Sequence, residues 1–208
     1  MDLSFPLATI APTLDAGVLH VLAATTAGCT AAEVHRRLGH GSDEGVRKVM
    51  ARLVRQGVVL AETPARYSLY RLNREHVAAP HIEALTRVRD QIFANIRVEV
   101  AGWQIEPLHA GLFGSFARGT ADSDSDIDVL LVRPEVLAER TEDAWLDQLV
   151  HLERRIRDWT GNAAQIIDLA PGTLGQMAHD GDPLVDSWRA EDIPVHGERF
   201  LDLLRRLR

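Results

Sequence analysis

The stretch from His109 to Val132 constrains this chain more than any other. An apolar run, His109–Phe113, stops at Gly114-Ser115, and ten residues separate Ser115 from Asp126. Asp126-Ile127-Asp128 then leads directly into a second apolar run, Val129 to Val132. Short apolar runs bounded by turn residues read as buried strands, here about 109–113 and 127–132. Glycine at 114 permits a close backbone approach and unusual dihedral angles. Phe116-Ala117-Arg118 begins a helical turn, so the Ser115 hydroxyl and nearby N–H groups would face an anion, with Arg118 as a further phosphate partner.

The period of a strand puts Asp126 and Asp128 on one face and Ile127 on the other. Two carboxylates held so close repel each other, and a divalent cation relieves the repulsion. Oxygen-only ligands suit Mg²⁺ or Mn²⁺, and Mg²⁺ is commonly held by one or two carboxylates plus substrate phosphates. Asp168, at the end of the apolar Ile166-Ile167, is a candidate third carboxylate arriving from a neighbouring strand. A phosphate cradle with three carboxylates is what two-metal phosphoryl or nucleotidyl transfer requires. The plainer readings are a solvated loop for the run Asp122, Asp124, Asp126, Asp128, and a strand-end cap for Asp168. A calcium loop starting at Asp122 fails, because its sixth and twelfth positions, which should be Gly and Glu, are Ile127 and Arg133.

The order of elements around this stretch is that of an α/β layer domain. A helix is expected from about Glu142 to Thr160, a third strand at 164–169, two short helical pieces, and a last helix near 198–207. Trp145, Trp159 and Trp188 read as packing residues, and the histidines have no ligand spacing.

The string Leu112-Phe-Gly-Ser-Phe-Ala-Arg-Gly119 followed by Ser125-Asp-Ile-Asp128 resembles the minimal nucleotidyltransferases of the DNA polymerase β superfamily. The resemblance covers roughly residues 105–208, with Asp180-Gly-Asp-Pro-Leu-Val and Ile193-Pro-Val-His-Gly near the end. It implies an α/β nucleotidyltransferase domain with a mixed sheet. It also implies Mg²⁺-dependent (or Mn²⁺-dependent) transfer of NMP from an NTP, with ATP as the expected donor, to a hydroxyl acceptor. On it, Gly114 and Ser115 grip the nucleotide phosphates, Asp126 and Asp128 bind metal, and Asp168 completes the catalytic and metal site. The acceptor, whether protein, RNA or small molecule, is not written in the motif. Family members of minimal form often act as antitoxins that modify a partner toxin, and the fused amino-terminal segment departs from that form.

Before the linker, the chain reads differently. Residues 1–12, with two prolines and no clear period, read as a tail. Helices are expected at about 13–24, from a Thr30 cap to Leu38, and from a Ser42 cap to Gln56, stopped by Gly57. Val58 to Leu60 and Tyr67 to Tyr70 read as strands joined by Thr63-Pro64-Ala65-Arg66. This pattern, over residues 13–75, resembles a winged helix-turn-helix. On its third helix Lys48, Arg52 and Arg55 are spaced at 0, 4 and 7, with Arg47 beside them and Arg66 in the wing. They form a candidate DNA-binding face. Asp43 and Glu44 in the first turn oppose that reading, and protein docking is its rival. A single long helix is expected over 76–104, from Ile82 through Val100, as a connector or a homodimer seam.

Charge divides the same way. Residues 1–104 carry 12 Arg and Lys against 10 Asp and Glu, and residues 105–208 carry 11 against 20. The acidic half does not suit a broad nucleic-acid face but suits metal ions. One cysteine, Cys29, excludes a disulfide framework within the chain, and no run is long enough for a membrane span. The chain starts without a basic signal-peptide region, so a cytoplasmic, non-membrane protein is expected. The functional expectations are therefore an NTP-using enzyme, or a DNA-binding regulator or antitoxin whose nucleotidyltransferase domain senses nucleotide or modifies a toxin.

Overall fold

A computed structural model describes residues 1–63, 67–135 and 139–207. The chain forms two compact units, Ser4–Arg89 with Asp2, and Asp90–Arg208 with Met1 and Leu3.

The first unit holds α1 (Pro6–Ile10), α2 (Leu14–Ala23), α3 (Ala31–Leu38), α4 (Asp43–Arg55), β1 (Val59–Glu62), β2 (Leu69–Leu72) and α5 (Ala79–Thr86). Local chemistry sets the helix starts. Thr30 Oγ1 accepts the Glu33 N–H while Glu33 Oε2 accepts the Thr30 N–H, a reciprocal cap on α3. Ser42 Oγ accepts the Gly45 N–H at the start of α4. Gly39, at φ +76°, ends α3 in the left-handed conformation. The apolar stripes of α2, α3 and α4 meet through Val18, Leu22, Val34, Val46 and Met50, all fully buried. β1 and β2 pair antiparallel from Val59 opposite Leu72 to Glu62 opposite Leu69. Residues 6–10, expected as tail, are helical, and Pro6 and Leu7 are buried.

The expected single helix over 76–104 is two helices. α5 ends at Thr86, Arg87 leaves helical geometry at φ −103° and ψ 11°, and α6 runs Val88–Ala101. The Thr86 hydroxyl donates to the Glu83 carbonyl, a local bond of the kind that competes with the helical ladder. Ile82 is buried with the first unit's core, and Ile92, Ile96 and Val100 are buried along α6.

The second unit continues with β3 (His109–Phe113), α7 (Gly114–Arg118), β4 (Ile127–Val132), α8 (Glu139–Thr160), β5 (Ala164–Leu169), α9 (Pro171–Asp180), α10 (Pro183–Glu191), β6 (Ile193–Gly197) and α11 (Phe200–Arg206). Its four strands form one mixed sheet in the order β5-β4-β3-β6. β3 is antiparallel to β4 and β6, while β4 and β5 are parallel, crossed over by α8. The strand β6 goes unread in the sequence because Pro194 interrupts it. Proline is tolerated there because β6 is an edge strand, bonded only to β3. One sheet face, with Phe113, Leu130 and Val132, packs against Leu174, Trp188, Phe200 and Leu203 of α9 to α11. Trp145 of α8 is fully buried and meets Trp103 edge-to-face. No helix among the described residues is long and apolar enough to cross a membrane.

Candidate nucleotide site

The site sits where β3 ends and β4 begins, because antiparallel pairing sets Phe113 opposite Asp128. The chain turns at Gly114, whose φ is +70°, a conformation that penalises any residue with a Cβ. A Cβ at this position would lie 3.0 Å from Asp128 Cγ and closer still to its Oδ2. Gly114 is therefore required twice, for the turn and for the carboxylate that lies against it. Ser115, half-buried in α7, holds the following loop, its carbonyl accepting the Thr120 N–H at 2.9 Å.

The loop from Thr120 to Ser125 is built by its own polar groups. Asp122 Oδ1 accepts the Asp124 N–H at 3.0 Å and the Ser125 hydroxyl at 2.8 Å. The Ser125 bond, then the Asp124 N–H, hold the Asp122 carboxyl below its ordinary range. Buried Asn162 donates its side-chain amide to the carbonyls of Ser125 at 2.9 Å, Asp122 at 3.3 Å and Ser123 at 3.4 Å. Asp122 is thus a turn builder, and Asn162 is the clamp that delivers Asp126 to the mouth of β4. Sequence reading misses Asn162 because Gly161-Asn162 after a helix looks like an ordinary turn.

Asp126 is exposed and Asp128 half-buried. Burial first, and then the neighbouring Asp126 charge, push the Asp128 carboxyl above the ordinary 3.8; Arg118 opposes this and Glu191 adds to it. This excess of negative charge, on oxygen donors alone, fits a hard divalent cation. No group of three or more His, Cys, Asp or Glu side chains among the described residues is already gathered to hold a metal ion. Two carboxylates still match the usual Mg²⁺ arrangement, in which water and phosphate oxygens fill the remaining positions.

The structure does not bring Asp168 to this pair. In the parallel β4–β5 register Asp128 is opposite Gln165, and Asp168 is opposite Leu131. Register partners share a face and neighbours along a strand alternate, so Asp168 lies on the opposite face from Asp128. It is also three residues, about 10 Å, further along the strand direction. There Asp168 Oδ2 accepts the indole N–H of buried Trp145 at 3.1 Å and lies 3.5 Å from Arg133.

A different carboxylate occupies the site. Glu191, the last residue of α10, accepts the Gly114 N–H at 3.1 Å and pairs with Arg118 at 2.6 Å. No spacing signal reveals it, since it lies 63 positions after Asp128 and reaches the site only through the packing of α10.

The expected DNA-binding residues fall in the first unit. Arg47 pairs with Asp43 at 2.6 Å and Lys48 with Glu44 at 2.7 Å, both on the exposed side of α4. Arg52 turns to α2, pairs with Asp15, and donates to Gln56 at 3.2 Å. Arg55 is exposed and has no acidic partner among the described residues. Arg66 lies outside the described residues.

Residues 102–163, which span β3, the Gly114 turn and the Asp pair, match the family model of the nucleotidyltransferase domain. That stretch is similar to nucleotidyltransferase domains. No curated protein matches the chain. Two solved structures are similar at low identity. A toxin–antitoxin crystal structure with AMP-PNP shares 15% identity over 57% of this chain and 82% of its own, with a TM-score of 0.35. TrmBL2, an archaeal chromatin protein described as showing a novel mode of DNA binding, shares 13% over 90% and 78%, with a TM-score of 0.31. At these TM-scores neither likeness supports an inference about this chain.

Proposed function

We propose that the second unit transfers NMP from an NTP, with ATP as donor, to a hydroxyl acceptor, in a reaction dependent on Mg²⁺ or Mn²⁺. The observation that carries this reading is the contact of Gly114 with Asp128 at the β3–β4 junction. Around it lie a backbone N–H and a guanidinium that both meet a carboxylate oxygen, beside two neighbouring carboxylates. Gly114 and Arg118 would hold phosphate oxygens, with Ser115 next to them. Asp126 and Asp128 would hold the divalent cation, which when bound offsets phosphate charge and acidifies a coordinated hydroxyl. In the reaction the acceptor oxygen would bond to the α-phosphorus as the bond to the pyrophosphate breaks, and the acceptor's hydroxyl proton would pass to water.

The test uses the full chain, Mn²⁺ or Mg²⁺, α-labelled ATP and a cell lysate. Label appearing in a macromolecule, with matching pyrophosphate, supports the reading. The Asp126→Asn, Asp128→Asn double variant should lose at least about a hundredfold in rate. Transfer by the double variant at the wild-type rate would overturn the site.

A second reading concerns the first unit. Its three packed helices and hairpin, with Glu44, Arg47, Lys48, Ala51 and Arg55 exposed along α4, support a winged helix-turn-helix that meets duplex DNA. The ion pairs of Arg47 and Lys48 are solvent-exposed i,i+4 pairs, which water and salt screen strongly, so phosphates can replace the acidic partners. Duplex binding by the full chain should weaken with salt, and Lys48→Ala, Arg55→Ala should lower the log–log slope by about 2. An unchanged slope favours a protein partner, such as an antitoxin's target, on this face.

A further inference from the structure

Glu191 is the group the nucleotide reading leaves unused, although it touches both phosphate donors. One oxygen, Oε2, takes the Gly114 N–H at 3.1 Å and the Arg118 guanidinium at 2.6 Å. The Glu191 side chain is only 21% exposed. Its neighbour Asp192 is fixed from behind, with Oδ1 3.0 Å from Nε2 of fully buried His109. His109 Nδ1 in turn lies 2.8 Å from the Glu198 carbonyl oxygen. Gly111 provides the room, because a Cβ there would fall 2.7 Å from His109 Nε2 and 2.9 Å from Asp192 Cγ. The end of α10 is thus tied to β3, and Glu191 is delivered to the anion position by the fold.

The charges follow from this placement. The Asp126 and Glu191 charges act on Asp128 together with Arg118, which is already engaged by Glu191. A bare nucleoside triphosphate brings further negative charge into this cluster and must displace Glu191 from Arg118. A divalent cation arriving with the nucleotide offsets the charge of the phosphates and of Asp126 and Asp128, so the displaced Glu191 carboxylate is repelled far less and the penalty shrinks.

We propose that Glu191 is a specificity-determining residue that holds the phosphate donors in the free chain, so that the site admits the nucleotide as its metal complex and rejects the uncomplexed polyanion. This rests on the nucleotide reading above. It assigns Glu191 a role in discrimination through competition for Gly114 and Arg118, separate from the metal-holding role of Asp126 and Asp128.

The experiment is calorimetry of the full chain with a non-hydrolysable ATP analogue, in Mg²⁺ and in EDTA. Wild type should bind in Mg²⁺ and at least about tenfold more weakly in EDTA, the size expected for breaking one charge-assisted bond. Glu191→Gln keeps the shape and removes the charge. It should bind the metal-free analogue about tenfold more tightly than wild type, with the affinity in Mg²⁺ changed less than about threefold. Adding Arg118→Ala should erase the gain, because competitor and ligand share that guanidinium. Glu191→Asp, which draws the carboxylate back by one methylene, should shift metal-free binding the same way by less, and serves if the Gln variant folds poorly. Wild type binding in Mg²⁺ with no gain in either variant overturns the role of Glu191 while leaving the nucleotide reading intact. No binding by wild type in either condition overturns both.

Discussion

Replacing Gly114 by alanine tests the tightest contact in the site. Two costs add. The left-handed φ of +70° penalises a Cβ by roughly 1–2 kcal/mol. The new methyl would also stand 3.0 Å from Asp128 Cγ and 3.4 Å from its Cβ, so the carboxylate must swing away. Asp128 is already half-buried, and moving it strains the start of β4, a cost of about 1 kcal/mol. The sum is about 2–3 kcal/mol, a fall in melting temperature of about 5–10 °C. Nucleotide binding in Mg²⁺ should fall further than stability does, because the displaced carboxylate is the one assigned to the cation. Differential scanning calorimetry and titration with a non-hydrolysable ATP analogue measure the two losses. In an Asp128→Ala background the same glycine substitution should cost only about 1–2 kcal/mol, since the conformational part alone remains. A Gly114→Ala chain that melts with wild type and binds nucleotide equally would refute the reasoning.

Two further outcomes follow from the carboxylates. The Asp128 carboxyl is raised above 3.8 in the fold, so its charged form is disfavoured there and it costs stability once ionised. Asp128→Asn should therefore melt with wild type below the ordinary carboxylate range, gain over it as pH rises through that range, and hold the gain at neutral pH in EDTA; a loss of stability at neutral pH would reject this, and Mg²⁺ should erase the advantage. Asp168→Ala removes the acceptor of the buried Trp145 indole, so it should lower stability by about 1–3 kcal/mol yet leave Mg²⁺-dependent nucleotide binding unchanged; selective loss of that binding in a chain that melts normally would return Asp168 to the site.

Much of the fold is legible in the residues themselves. The strands 109–113, 127–132 and 164–169 emerge from short apolar runs with turn residues at their ends, and the starts of α3 and α4 from Thr30 and Ser42. The Asp126–Asp128 pair and Gly114 are likewise legible, because strand period and glycine's backbone freedom act within a few residues. Tertiary structure decided what local rules do not reach. Asp168 looks like a third ligand in sequence, but the parallel register with β4 places it on the opposite face, and register depends on a pairing between segments far apart in the chain. Glu191 carries no motif, and the packing of α10, with Asp192 anchored on His109, brings it to Gly114 and Arg118. The single helix expected over 76–104 breaks at Arg87, where a threonine hydroxyl competes for a carbonyl and the two parts' apolar residues are buried in different units. Sequence fixes chemistry wherever the relevant neighbours are close along the chain. The remainder of this site is assembled by contacts between residues 37 to 83 positions apart, set by which faces of the sheet and helices bury together.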